Sequence, residues 1–260
     1  MKNNILVFIP YYVNIEDEYS RLYFESFFKI HVELHKLFFD SLDNFIVYSN
    51  YEFKYKDVST TLVNLGYSEN LYFNKFLYIE QFLKTISDDD IVWLRDLDLI
   101  QVNSLHEDDL TFNNDIYTIM TEREIIGDSS MFLRKSSLDL FSSFIEYFMF
   151  REQSREGQRR SGKNCAIVFN KFIKRENHLD QFDFSMGWEY NLKPSSLTSK
   201  IERYRKCQSS TIKAVHLHNI ELAFSVFVKN KNENIDILSP EILDLLQIYL
   251  WSLMNESNLS

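Results

Sequence analysis

Asp96 and Asp98 stand one residue apart, directly after the apolar run Ile91-Val92-Trp93-Leu94. A strand buried on both faces has this composition, so the run reads as a central strand and the two carboxylates mark where it leaves the core. Strand residues at i and i+2 point to the same side. Two carboxylates brought together there need protons or a cation to offset their repulsion. Oxygen ligands suit Mg²⁺ or Mn²⁺, which keep some waters and share the phosphate oxygens of a substrate. The bland alternative is a solvated strand end or a helix cap.

Elements that must position this pair are legible on both sides of it. Ile5 to Ile9 reads as a first strand, with Pro10-Tyr11-Tyr12 opening a loop, and residues from about Glu16 to Asp40 carry apolar positions at helical spacing. Asn44 to Ser49 and Thr61 to Leu65 read as strands, and Asn70 to Ile86 as a helix feeding the acidic strand. Alternating strand and helix predict an open, mostly parallel α/β sheet flanked by helices, whose ligands bind beyond the carboxyl ends of the strands. Later segments predict strands at Ile116 to Met120, Ser130 to Leu133 and Thr211 to Leu217, and helices at Ser136 to Phe150, Asn164 to Lys174 and Pro240 to Met254. Arg151 to Lys163, with four arginines and no apolar stripe, reads as a polar loop.

Composition narrows the function. The chain has 260 residues, 45% hydrophobic and 16% aromatic, which suits a dense globular core. Five glycines leave no phosphate-cradling glycine loop. A formal charge of −10 argues against nucleic acid as a partner, because backbone phosphates are held by clustered Lys and Arg. Cys165 and Cys207 are too few and too far apart for a zinc site or a disulfide framework, so the reading is cytoplasmic. No signal peptide and no run of membrane-spanning length is expected; peripheral membrane contact through the last helix and the oligomeric state stay open.

The layout resembles the glycosyltransferases of the GT-A fold. Asp96-Leu97-Asp98 resembles their D-x-D, Ala214-Val215-His216-Leu217-His218-Asn219 their C-terminal histidine strand, Asn74-Lys75-Phe76 their donor-side helix start, and Gly127 to Leu133 the strand lining donor and acceptor. The resemblance implies a GT-A-like catalytic domain over 1–220, with a nucleotide-sugar-binding half (1–100) and an acceptor half (101–220), and a C-terminal helical extension over 221–260. It implies Mn²⁺ or Mg²⁺ held by Asp96, Asp98 and His216, and a nucleotide-diphosphate sugar as donor, contacted by Tyr11, Lys75 and Asp96. The acceptor would be a hydroxyl of a saccharide or glycoconjugate. An imidazole among oxygen ligands would favour Mn²⁺.

An inverting reaction would need a general base beside the acceptor hydroxyl. Asp128, Asp180, Asp183 and Glu189 are the acids available in the second half, with Asp128 and Asp180 preferred. Tyr11, Tyr12, Phe182, Phe184, Trp188 and Tyr190 could stack on a base or a sugar ring, or simply pack. Two other functions remain in view: a metal-dependent phosphohydrolase, and a non-catalytic nucleotide-sugar or carbohydrate-binding protein.

Overall fold

A computed structural model describes residues 5–39, 41–65, 72–105, 110, 113–120, 125–153, 165–186, 190, 212–217 and 238–256. Strands β1 (Ile5–Tyr11), β2 (Phe45–Ser49), β3 (Lys54–Tyr55), β4 (Val58–Ser59), β5 (Thr61–Leu62), β6 (Ile91–Arg95), β7 (Leu99–Gln101), β8 (Ile116–Met120), β9 (Ile126–Leu133), β10 (Phe182–Asp183) and β11 (Ala214–His216) are joined by helices α1 (Glu18–Phe38), α2 (Phe73–Leu83), α3 (Leu138–Gln153), α4 (Cys165–Arg175) and α5 (Pro240–Glu256). Among the described residues the central sheet has seven strands in the order β10-β8-β9-β6-β1-β2-β5. It is mostly parallel, and β9 alone runs against its neighbours β6 and β8.

Both faces of the sheet are covered, as the apolar strands demand. Alternate residues of β1 and β6 enter two cores: Val7, Ile9, Ile91 and Trp93 meet α1 and α5, while Phe8, Val92 and Leu94 meet α2, α3 and α4. Helix α1 starts on Asp17, whose carboxylate accepts the Ser20 N–H at 3.2 Å, and turns Phe24, Phe27, Phe28 and Ile30 inward. On the opposite face Phe82 of α2 stacks on Phe8 at 4.2 Å. The last helix packs on α1 through Ile242, Leu246, Leu250 and Leu253, and Tyr249 meets Tyr55 hydroxyl to hydroxyl at 2.8 Å.

Four local expectations change. Pro10 continues β1 instead of ending it, because β6 pairs only as far as Phe8 and one flank of the strand is open at Pro10. The strand expected at Ser130 begins at Ile126, so Asp128 lies inside β9. Arg151 to Gln153 belong to the last turn of α3, and the rest of the stretch to Lys163 lies outside the described residues, as do Trp188, Glu189 and His218. The small hairpin of β3 and β4 was not expected.

Candidate metal and donor site

Parallel β1 and β6 end side by side, and the chain leaving β6 turns at once. Asp96 accepts the Leu99 N–H at 3.1 Å, closing a four-residue turn with Leu97 and Asp98 at its centre. The two carboxylates therefore converge through a turn, and not through the strand alternation expected from their spacing. Asp96 faces α2; Asp98 faces β11.

Strand β11 runs antiparallel to β7 and sets His216 opposite Leu99. This register brings His216 Nε2 to 3.0 Å from Asp98 Oδ1, and the Leu217 N–H donates to the Asp98 carbonyl at 2.7 Å. Ligand atoms of Asp96, Asp98 and His216 all lie within 4.8 Å of one another. Octahedral coordination at about 2.1 Å spaces donor atoms by about 3 to 4 Å, so this set closes on one cation with a small adjustment. Two carboxylates and an imidazole are also the right donor types for Mn²⁺.

Lys75, in the first turn of α2, reaches into the same place. Its Nζ donates to Asp96 Oδ1 at 2.5 Å and to the Asp128 carbonyl, and stands 3.8 Å from Asp128 Oδ2. Burial alone would lower the Lys75 ammonium, but Asp96 and Asp128 outweigh it and leave it raised. For Asp96 burial is the largest influence and holds its carboxyl above the usual range, although Lys75 offsets part of that. Three carboxylates against one ammonium leave a surplus of negative charge that a divalent cation would balance.

Tyr11 ends β1 beside these acids. Its ring stacks on Phe24 at 5.6 Å, and burial first, then Asp98, Tyr72 and Asp96, hold its phenol well above the ordinary value. Packing and a place beside the carboxylates coexist in this residue. Asp180 is not brought to the group. It precedes β10, whose Phe182 is level with Ile116, Leu133 and Val92 at the amino end of β6. Asp96 lies several residues further along, roughly 15 to 20 Å at about 3.3 Å per residue, with three strand spacings more across the sheet. Asp183, on β10, is level with Tyr117 and likewise remote.

Replacing the Lys75 ammonium with an apolar chain of similar volume leaves the half-buried Asp96 beside Asp128 without its cation. Lys75→Met is expected to lower stability at pH 7 by about 2 kcal/mol. Urea unfolding measures it, and a loss under about 1 kcal/mol would show the pair to be a weak surface contact.

Comparisons with solved structures find the same fold. The glycosyltransferase GlyE of Streptococcus pneumoniae TIGR4 matches in its apo form with 12% identity and a TM-score of 0.56, and in a second structure with 13% and 0.55. Both matches cover 98% of this chain, which spans 63% of the length of GlyE. A glycosyltransferase involved in the glycosylation of the major capsid of PBCV-1 matches over 84% of this chain and 97% of its own, at 12% identity and a TM-score of 0.49. No protein-family model and no curated protein matches. The fold is GT-A, a mostly parallel α/β sheet flanked by helices.

Proposed function

We propose that this chain is a metal-dependent glycosyltransferase that moves a sugar from a nucleotide-diphosphate donor to a hydroxyl of a saccharide or glycoconjugate. One observation carries the reading: in a GT-A fold, Asp96, Asp98 and His216 meet from separate segments at the carboxyl ends of β1 and β6, where such sheets bind ligands.

Each residue then has work that its surroundings support. Asp98 and His216 face one another as the two halves of the cation cradle, with Asp96 as the third donor. A bound Mn²⁺ or Mg²⁺ would supply Lewis-acid stabilisation of the departing diphosphate. Lys75 holds the Asp96 carboxylate in place and ties it to β9, and offers positive charge to an anionic donor. Tyr11 lines the nucleotide side. Asp128 is the acid we assign to receive an acceptor proton, a reading supported by its 30% exposure and its position beside Lys75. No helix among the described residues is long and apolar enough to cross a membrane. We assign the enzyme to the cytoplasm on its cysteine usage, two in 260 residues.

Thermal-shift measurements against UDP-, GDP- and CMP-sugars, each with and without Mn²⁺, test the reading. One donor class at about a hundred times its Kd should contribute about 2.7 kcal/mol, raising Tm by about 5 to 10 °C, and only with the metal present. If no nucleotide sugar stabilises the protein in a metal-dependent way, the phosphohydrolase reading takes its place.

A further inference from the structure

Every backbone carbonyl of the Asp96 to Asp98 segment is anchored, and the anchors differ in kind. The Asp96 carbonyl is taken by Leu99 within the turn and the Asp98 carbonyl by Leu217 beside β11. The Leu97 carbonyl is taken by a side chain: His31, on α1, places Nε2 at 2.7 Å from it. A carbonyl can only accept, so Nε2 carries the proton and donates. Leu97 is itself 3% exposed, and without His31 its carbonyl would be a buried acceptor left unsatisfied.

His31 is an expensive way to fill its place in the core. The residue is 1% exposed among Phe27, Phe28 and Ile30, and its Nδ1 has no hydrogen-bond partner. Burial, and after it the nearby Arg95, keep the ring neutral, so it does not serve as a charge. What it gives in return is the single bond to Leu97.

That bond falls on the central peptide of the turn. Flipping this peptide converts a type I turn to type II and imposes a positive φ on the third residue, here Asp98. Neither Leu97 nor Asp98 has a positive φ. Holding the Leu97 carbonyl therefore keeps Asp98 in the conformation from which Oδ1 meets His216.

We propose that His31 is a positioning residue of the cation site, clamping the central peptide of the Asp96 to Leu99 turn from α1 and so fixing how Asp98 is presented. This rests on the metal-dependent reading above. Partners behind metal ligands commonly change metal affinity by about 10 to 100-fold when removed.

The test is direct titration of the full chain with Mn²⁺ alone, followed by electron paramagnetic resonance, with circular dichroism reporting the fold. His31→Phe keeps a ring and removes the donor, and should bind Mn²⁺ about tenfold or more weakly; His31→Gln restores a donor at similar reach, and should stay within about threefold of the parent. His31→Phe binding as tightly as the parent overturns the proposal, as does folded His31→Gln binding as weakly as folded His31→Phe. Should His31→Phe not fold, the parent decides by NMR: a His31 Nε2 proton protected from exchange and shifted by Mg²⁺ supports the clamp, and its absence overturns it. A parent that binds no Mn²⁺ removes the functional reading as well, whereas a binding parent with an indifferent His31→Phe removes only the clamp.

Discussion

Asp98→Ala is expected to abolish metal-dependent donor turnover, with a loss of about 10³-fold or more, while the melting temperature moves by only a few degrees. Asp98 is the carboxylate that meets His216, so its removal takes one donor from the cradle and deprives the imidazole of its partner across the site. A Lewis acid of this kind lowers a barrier by several kcal/mol, and 10³-fold corresponds to about 4 kcal/mol. The fold should survive because what Asp98 gives the framework is its main chain: the Leu217 N–H bonds the Asp98 carbonyl, which alanine retains. Turnover measured across a Mn²⁺ series, with urea unfolding alongside, checks both halves. Undiminished metal-dependent turnover in a folded Asp98→Ala would end the proposed role of this carboxylate. A binding protein would show no turnover to lose, and a phosphohydrolase would instead release phosphate from simple esters.

Legibility of the fold followed burial. β6 and β1 were plain in the sequence because both faces of each strand meet a core, which made Ile91 to Leu94 and Ile5 to Ile9 continuous apolar runs. The first half of β9 was missed for the opposite reason. Gly127, Asp128 and Ser129 line the polar end of the sheet, and their composition reads as loop. Two-residue strands such as β3 and β4 are too short to show any period.

The site divides along the same line. Asp96 and Asp98 announced themselves through an adjacent apolar run, but the junction with His216 spans 118 residues and depends on β7 pairing with β11. No local pattern contains that pairing, and the family resemblance alone pointed to it. Lys75 was likewise singled out by resemblance, while its bridge from Asp96 to Asp128 emerged from the packing of α2 against the strand ends. Arg95, next to Asp96 in the sequence, is buried away from it, 1% exposed over the Trp93 ring at 4.6 Å. His31 carried no signal at all. A histidine in an apolar helical stripe looks like any satisfied core residue until the helix is docked on the turn.

Acid should unfold this protein early, and two buried histidines of α1 supply the reason. Burial first and Arg95 second push the pKa of His31 down to about 3 and that of His35 down to about 4. In the unfolded chain both titrate near 6.5. Their folded values are depressed, so the stability associated with the neutral rings is fully present above pH 6.5 and is lost as pH falls toward 4 and then 3. Between pH 7 and 5 the two rings go from about half a proton to nearly two in the unfolded chain while the folded chain refuses them, at about 1.4 kcal/mol per proton and pH unit, a loss of about 4 kcal/mol. The charged groups around these rings keep that sign: Arg95 opposes protonation of both, and Asp98 favours it only for His31, more weakly than burial and Arg95 oppose it. Asp96 works in the opposite direction, since its carboxyl is held above its usual value and acidification relieves it. Against a typical stability of about 5 to 15 kcal/mol, the histidines dominate this window. Urea unfolding at pH 7 and pH 5 measures the slope, and the double variant His31→Gln with His35→Gln, which cannot titrate, should flatten most of it. An equal slope in the double variant would place the acid sensitivity elsewhere in the chain.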